Sequence, residues 1–214
     1  SYYLGYLAHL KGNRTLAEKY FREGSALSED YCFPFRLETV KVLETALEYN
    51  PFDGKAAYYM GNILYHNNQR DKGIAYWETA VKNDPELAVA YRNLGWGYYN
   101  HKGDGYKAIT AYEKAISLRK DEPIYYEELD RLYEMSNTAV EKRMALFAGS
   151  NDVVSRRDDA FARQIEVLTL AGQTDKAVEY LTGKQFSYRE GSGRIRDVII
   201  DAHLIQGIKH LREK

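Results

Sequence analysis

The sequence predicts an all-α fold built from repeated pairs of helices. Two neighbouring segments of this 214-residue chain align with each other at an offset of 34 to 35 residues. Within each segment, apolar residues recur at i, i+3, i+4 and i+7, break, and recur again, as in two amphipathic helices joined by a turn. Only four prolines interrupt the chain, and no strict apolar and polar alternation bounded by turn residues indicates a sheet. We therefore expect about twelve helices.

The internal repeat is defined by matched positions. Those 34 residues apart are Pro51 and Pro85, Met60 and Leu94, Gly61 and Gly95, and Leu64 and Tyr98. Those 35 residues apart are Gly73 and Ala108, Trp77 and Tyr112, and Ala80 and Ala115. The change of offset indicates that one residue is inserted near Gly103. Because one hairpin cannot bury its apolar face alone, neighbouring hairpins are expected to stack.

These positions resemble the tetratricopeptide repeat (TPR). The TPR pattern runs through Leu-Gly, an aromatic residue, a small residue that opens the second helix, another aromatic, an alanine and a closing proline. The first unit matches it at Met60, Gly61, Leu64, Gly73, Trp77, Ala80 and Pro85, and the second at Tyr91, Leu94, Gly95, Tyr98, Ala108, Tyr112 and Ala115. The resemblance implies a right-handed superhelical TPR-type solenoid of antiparallel helix pairs.

Residues 1–214 are predicted to form a single TPR-like array. Its predicted parts are a degenerate repeat over 1–30, a single helix over 35–49, TPR units over 54–87 and 88–121, degenerate repeats over 122–152 and 156–183, and a terminal helix over 193–213. Asp130 stands where Gly61 and Gly95 allow two helices to approach closely. Burying an unpaired carboxylate is costly, so Asp130 should either be hydrogen-bonded by a neighbouring helix or face a gap.

Each first helix leaves one stripe of residues outside its packing face, and the resemblance places these stripes in the concave groove of the solenoid. With i, i+4, i+7 spacing, they are Tyr2, Tyr6 and His9; Tyr58, Asn62 and Tyr65; Arg92, Trp96 and Tyr99; and Glu127, Arg131 and Glu134. Aromatic surface with directional donors is enriched in recognition sites. We predict a partner-binding groove formed by Tyr58, Asn62, Tyr65, Arg92, Trp96, Tyr99 and Arg131. The alternative is that these aromatic residues pack between neighbouring helices.

The polar groove residues partly match one known TPR arrangement. TPR domains that clamp a C-terminal carboxylate use Lys, Asn and Arg, and Asn62, Arg92 and Asn93 resemble part of that set. Tyr58 stands where a lysine is expected, and Glu127 and Glu134 in the last stripe add negative charge. These departures disfavour a strict carboxylate clamp.

A second candidate site is the segment 184–194, "KQFSYREGSGR". It combines aromatic, charged and glycine residues, and loops on a rigid scaffold often carry function. Its candidate residues are Tyr188, Arg189, Glu190 and Arg194. The alternative is a plain connection between two helices.

Composition and motifs exclude several function classes. The formal net charge is −1, which gives no basic footprint for nucleic acid, and no apolar run is long enough to span a membrane. Cys32 is the single cysteine, so neither an internal disulfide nor a thiolate metal cluster can form. The histidines form no HExxH or other ligand spacing, and "GDGYKA" at 103–108 follows a helix where a dinucleotide motif needs a strand. We therefore expect no metal, no cofactor and no enzymatic activity.

The leading functional prediction is a non-catalytic scaffold that binds a peptide segment or partner domain in its groove. The chain opens at Ser1 inside a helical pattern, so we expect it to be part of a longer protein whose missing part is one candidate partner. The array itself is expected to be monomeric. Cysteine usage favours the cytoplasm and permits the bacterial periplasm, which leaves the compartment open.

An alternative prediction rests on a second resemblance. The segments "LDRLYE", "RRDD", "LAGQTDKAVEYL" and "FSYREGSGR" resemble the helical tails of large bacterial proteins that carry an upstream β-rich domain akin to sugar-processing enzymes. This resemblance implies a helical accessory domain of a carbohydrate-active protein. The chain would then contribute to, or pack against, a sugar-processing domain.

Overall fold

The computed structural model describes residues 1–30, 32–187 and 193–212, and these residues contain helices and no strands. The α-helices are α1 (Tyr2–Leu10), α2 (Arg14–Ala26), α3 (Glu38–Tyr49), α4 (Gly54–His66), α5 (Arg70–Asn83), α6 (Ala88–Gly97), α7 (Gly105–Leu118), α8 (Pro123–Met135), α9 (Val140–Phe147), α10 (Asn151–Val154), α11 (Asp158–Leu170), α12 (Thr174–Thr182) and α13 (Gly193–Arg212). A π-helical segment, Tyr98–Lys102, follows α6. The chain divides into two compact units, the N-terminal unit Ser1–Leu118 and the C-terminal unit Arg119–Lys214.

Helix pairs build the N-terminal unit. α1 packs on α2, α4 on α5, and α6 on α7, while α3 contacts both α1 and α4. The short turns within each pair make the paired helices antiparallel. The core lies between the pairs and includes Leu43, Met60, Ile63, Ile74, Trp77 and Leu94.

Glycines set the closest approach within three of these pairs. A Cβ atom on Gly61 would lie 2.4 Å from Trp77 Cδ1, and one on Gly95 would lie 2.4 Å from Tyr112 Cδ2. The first pair repeats the arrangement with Gly5 against Phe21. Each aromatic ring therefore lies directly on the backbone of the facing helix, and the prediction that these glycines permit close packing is confirmed.

The inserted residue near Gly103 is accommodated by the π-helical segment. A π-helix closes i→i+5 hydrogen bonds, so each hydrogen-bonded loop contains one more residue than in an α-helix. The segment ends at Gly103, whose φ of 66° lies in the left-handed region that glycine adopts readily.

Two basic side chains of the π-helical segment contact Asp71 on α5. His101 Nε2 lies 3.2 Å from Asp71 Oδ1, and Lys102 contacts the same carboxylate. Hydrogen bonds from Lys102 and then His101 hold the pKa of Asp71 below its usual range.

The first turn of α4 depends on Asp53. Its carboxylate accepts a 2.9 Å hydrogen bond from the Ala56 backbone N–H, which caps the helix. The Tyr2 hydroxyl also donates to both carboxylate oxygens, at 3.0 and 2.9 Å. One side chain therefore caps α4 and ties it to α1.

Replacing Asp53 with alanine should lower the free energy of unfolding of the N-terminal unit by about 2 kcal/mol, because the cap and the Tyr2 hydrogen bond are each worth about 1 kcal/mol. Asn13→Ala is the matched control, since Asn13 caps α2 through Leu16 N–H and should cost about 1 kcal/mol. Urea unfolding followed by tryptophan fluorescence measures both variants, because Trp77 and Trp96 lie in this unit. Equal losses for the two variants would contradict the tie to Tyr2.

Helix α11 is central to the C-terminal unit. It packs against α8, α9, α10, α12 and α13, and its residues from Ala160 to Ile165 are all buried. Helix α10 has four residues, too few to show a helical period, which explains why sequence periodicity does not reveal it. Among the described residues, no helix is long and apolar enough to cross a membrane.

A buried ion-pair network joins three helices of this unit. Asp130 on α8 is 0% exposed and accepts two 2.8 Å hydrogen bonds from the Arg143 guanidinium on α9. Arg163 on α11 approaches the same carboxylate at 3.3 Å and contacts Glu134 at 2.6 Å. The hydrogen bonds that Arg143 donates to the Asp130 carboxylate raise the pKa of Arg143. Of the two environments expected for Asp130, a hydrogen bond from a neighbouring helix or a gap, the structure has the first.

Candidate functional site

Two asparagines connect the first helices of neighbouring repeats in the N-terminal unit. Asn62 Oδ1, on α4, accepts a 2.8 Å hydrogen bond from Asn93 Nδ2 on α6. The same oxygen accepts a 2.9 Å hydrogen bond from the indole N–H of Trp77 on α5. Because a buried indole N–H needs an acceptor, Trp77 fixes the orientation of the Asn62 amide.

The network continues to a partly exposed tryptophan. Arg92 Nη1 donates to Asn93 Oδ1 at 3.2 Å, and the Arg92 guanidinium carbon lies 5.9 Å from the Trp96 ring centroid. Trp96 is 41% exposed, whereas the other three residues are intermediate in exposure. We call Asn62, Arg92, Asn93 and Trp96 the amide–tryptophan face.

Two tyrosines of the predicted groove lie beside this face. Tyr58 is 5% exposed, and burial raises its pKa, although the Asn62 amide and the Arg92 charge lower it in part. Tyr65 packs on the Trp77 ring at a centroid distance of 4.8 Å. The Arg70 guanidinium carbon lies 5.9 Å from the centroid of the Tyr65 ring. Tyr58 and Tyr65 thus also contribute to packing, which was the alternative role for the aromatic stripe.

The remaining candidates of the groove lie on other elements of the chain. Tyr99 lies in the π-helical segment and is intermediate in exposure. Arg131 lies on α8 in the C-terminal unit, where its exposed side chain pairs with the buried Glu127 one turn earlier. The stripe of α1 contacts α3 and α4, because His9 Nδ1 lies 3.0 Å from the Tyr49 hydroxyl and Tyr2 donates to Asp53.

The candidate residues Tyr188, Arg189 and Glu190 lie outside the described residues, as does the side chain of Arg194. Just before them, Lys184 Nζ lies 2.9 Å from Asp158 Oδ1. The loop hypothesis therefore stays a prediction.

The repeat pattern gives Trp77 only as an aromatic packing position, whereas its indole N–H also orients Asn62 in the site. The sequence contains a signal for this role. Trp77 on α5 is expected to lie against Gly61 on α4, and a buried indole N–H needs an acceptor on that facing helix. Asn93, which the sequence already groups with Asn62 and Arg92, joins the face through its hydrogen bond to Asn62. Within the described residues, no group of three or more His, Cys, Asp or Glu side chains could hold a metal ion.

Solved structures show the same architecture. YrrB, a TPR protein with an unusual peptide-binding site, superposes with a TM-score of 0.62 over 81% of this chain and 87% of its own, at 17% sequence identity. The chain has the fold of TPR proteins. MamA superposes with a TM-score of 0.55 over 97% of this chain and 96% of its own, at 16% identity.

Sequence comparisons give partial matches, and no family model matches the chain. Protein O-mannosyl-transferase TMTC1 of Mus musculus is 31% identical over 110 residues, which is 50% of this chain and 12% of that protein. The Hsp70-Hsp90 organising protein of Plasmodium falciparum is 33% identical over 67 residues, or 31% of this chain and 26% of that protein. The chain thus spans about an eighth to a quarter of the relatives it matches.

Proposed function

We propose that the N-terminal unit is a non-catalytic scaffold that binds an extended peptide segment of a partner protein at the amide–tryptophan face. The observation that carries the proposal is the fixed pair of amides beside a partly exposed tryptophan. Asn62 and Asn93 are held by hydrogen bonds at 2.8 and 2.9 Å. A site whose side chains are already ordered loses little conformational entropy on binding.

The chemistry of this face suits a peptide. An amide nitrogen carries two hydrogens, so Asn93 Nδ2 can donate to a backbone carbonyl oxygen of the peptide while it donates to Asn62 Oδ1, and the Arg92 guanidinium places a positive charge beside it. The Trp96 ring offers apolar surface for one side chain of the peptide. Tryptophan and arginine are also the residue types most often found to dominate binding energy at interfaces.

The comparisons support this proposal at the level of fold and class. YrrB has a peptide-binding site, and the partial match to an Hsp70-Hsp90 organising protein is to a protein whose name describes assembly with other proteins. Here, the described face has no lysine among its four residues, which separates it from the Lys, Asn and Arg set of a carboxylate clamp. We therefore propose recognition of an internal segment rather than a chain end.

A peptide-binding measurement tests the proposal. Random-sequence peptides displayed on phage are selected against the chain, and the selected peptide is labelled for fluorescence anisotropy. Trp96→Ala and Arg92→Ala should each weaken binding by about tenfold, which corresponds to loss of one dominant interface residue. Far-UV circular dichroism should show unchanged helicity.

Tyr106→Ala is the matched control, because Tyr106 is an aromatic residue on α7 that is 83% exposed and lies outside the face. Its affinity should stay within about twofold of the parent, as expected for a residue outside the contact surface. Failure to select any peptide would contradict the proposal. So would equal losses for Trp96→Ala and Tyr106→Ala.

A second candidate function is that of a helical accessory domain in a larger carbohydrate-active protein. The observation that favours it is the 31% identity over 110 residues to an O-mannosyl-transferase. The matched segment is 12% of that protein's length. In this case the amide–tryptophan face would contact a sugar-processing domain of the same protein. Sequencing the full coding region tests it, because an adjoining enzyme-like domain would support the candidate and tandem TPR units alone would contradict it.

A further inference from the structure

The C-terminal unit contains a cavity of about 450 Å³ between α9, α11 and α12. Apolar and polar groups share its wall, with Met144, Phe147, Val167 and Leu168 on the apolar side and Asn151, Gln164, Gln173 and Lys176 on the polar side. Its volume falls within the range of roughly 300–1,000 Å³ that is typical of small-ligand sites, which combine apolar walls with a few polar groups. The polar groups of this cavity therefore decide what it can bind.

Gln164 is the unexpected polar group. The repeat places it in register with Met60, Leu94 and Leu129, at successive offsets of 34, 35 and 35 residues, and all three of those side chains are buried and apolar. Gln164 is itself only 5% exposed, and its Oε1 atom is buried without a hydrogen-bond partner. A buried amide at a position that is apolar in the other repeats lowers the stability of the folded protein unless a hydrogen-bond partner is present.

A second amide borders the same cavity. Asn151, at the start of α10, lines it together with Gln164, and its Oδ1 atom is also buried without a partner. Asn151 and Tyr180 are shared with an adjacent cavity of about 600 Å³ that reaches Lys184. Two carboxamides whose oxygens have no partner thus line the same cavity.

We propose that this cavity binds an uncharged ligand with an apolar body and a carboxamide head. A buried amide oxygen requires a donor, which a carboxylate lacks. A cationic head is disfavoured by Lys176, which also lines the cavity and whose ammonium lies 5.6 Å from the Tyr180 ring centroid. A neutral carboxamide can donate to the oxygen of Gln164, while the apolar body contacts Phe147, Val167 and Leu168.

The site is separate from the proposed peptide site. Every residue that lines it lies between Met144 and Tyr180 in the C-terminal unit, whereas the amide–tryptophan face belongs to the N-terminal unit. The inference therefore goes beyond the proposed function and does not depend on it. It concerns a small neutral amide, either free or as the side chain of a peptide.

The test uses two fluorinated probes on the full chain, 4-fluorobenzamide and its N,N-dimethyl derivative, with binding followed by ¹⁹F NMR titration. The two compounds share one aromatic body, but the dimethyl derivative has no N–H donor. The primary amide should bind about tenfold more tightly, which is the value expected for about one to two net hydrogen bonds. N-acetylglutaminamide in competition distinguishes a peptide side chain from a free small amide as the source.

Two variants make the result specific to the cavity. Gln164→Leu restores the side-chain type of the other repeats, so the protein should remain folded with an undiminished melting temperature, and the two probes should then bind equally. Ala148→Trp at the exposed lip of the cavity, where the backbone is extended, should block both probes. The proposal is overturned if neither probe shows saturable binding, if both bind equally to the parent, or if the preference survives Gln164→Leu.

Discussion

Replacing Asp130 with alanine should lower the free energy of unfolding of the C-terminal unit by about 3–5 kcal/mol, the cost typical of removing one partner from a buried ion pair. Asp130 is fully buried, and its carboxylate holds the Arg143 guanidinium at 2.8 Å and Arg163 at 3.3 Å. The alanine variant leaves two buried guanidinium groups without that acceptor. Urea unfolding followed by far-UV circular dichroism measures the loss.

Arg14→Ala is the control for an ion pair of the same chemistry at the surface. Arg14 lies 3.1 Å from Glu18, and its side chain is exposed, so the change should cost about 0.5 kcal/mol or less. Replacing all three buried partners together, as Asp130→Leu, Arg143→Met and Arg163→Met, should recover much of the stability lost in Asp130→Ala. A loss below about 1 kcal/mol for Asp130→Ala would show that the network is not the main stabilising contact of α8.

Gly95→Ala should destabilise the N-terminal unit by about 2 kcal/mol. Alanine is favoured over glycine within a helix by about 1 kcal/mol, but here its Cβ would lie 2.4 Å from Tyr112 Cδ2. Tyr112 is buried, so the ring cannot move away without shifting α7, and such overpacking costs about 1–3 kcal/mol or more. The steric cost should therefore exceed the gain in helix propensity.

Gly207→Ala is the matched control for this effect. Gly207 lies inside α13, and a Cβ there would meet nothing within 4 Å, so alanine should stabilise the helix by up to about 1 kcal/mol. Tryptophan fluorescence follows the unfolding of Gly95→Ala, because Trp77 and Trp96 both lie in the N-terminal unit, and circular dichroism follows Gly207→Ala. Opposite signs are expected, and a stabilising Gly95→Ala would contradict the close approach of α6 and α7.

The fold follows from the sequence because its packing is periodic. Gly61 and Gly95 recur at the correct offset with an aromatic residue about one helix later, and this pairing alone defines the hairpins. The inserted residue is visible in the sequence as a change of offset from 34 to 35 residues. The π-helical turn is not visible there, because a π turn and a longer loop both change the offset by one residue. Interactions between distant residues, such as Arg163 with Asp130, lie beyond a periodic pattern.

The candidate sites show the same division. The spacing of Arg92 and Trp96 places them on one helical face, and they do lie together. The pairing of Asn62 with Trp77 depends on how two helices turn towards each other, which spacing within one helix does not determine. Gln164, in contrast, is a departure from the repeat that the sequence already contains, because three apolar residues precede it in register.

The π-helical segment Tyr98–Lys102 bears on how such an array changes over evolutionary time. The extra residue is taken up before Gly103, so Ala108, Tyr112 and Ala115 keep the same phase relative to α6 as their counterparts in the preceding repeat. The insertion therefore leaves Gly95 against Tyr112 as Gly61 lies against Trp77, although it lengthens the end of the helix that carries Trp96. Related chains could vary the surface beside Trp96 through length as well as through substitution.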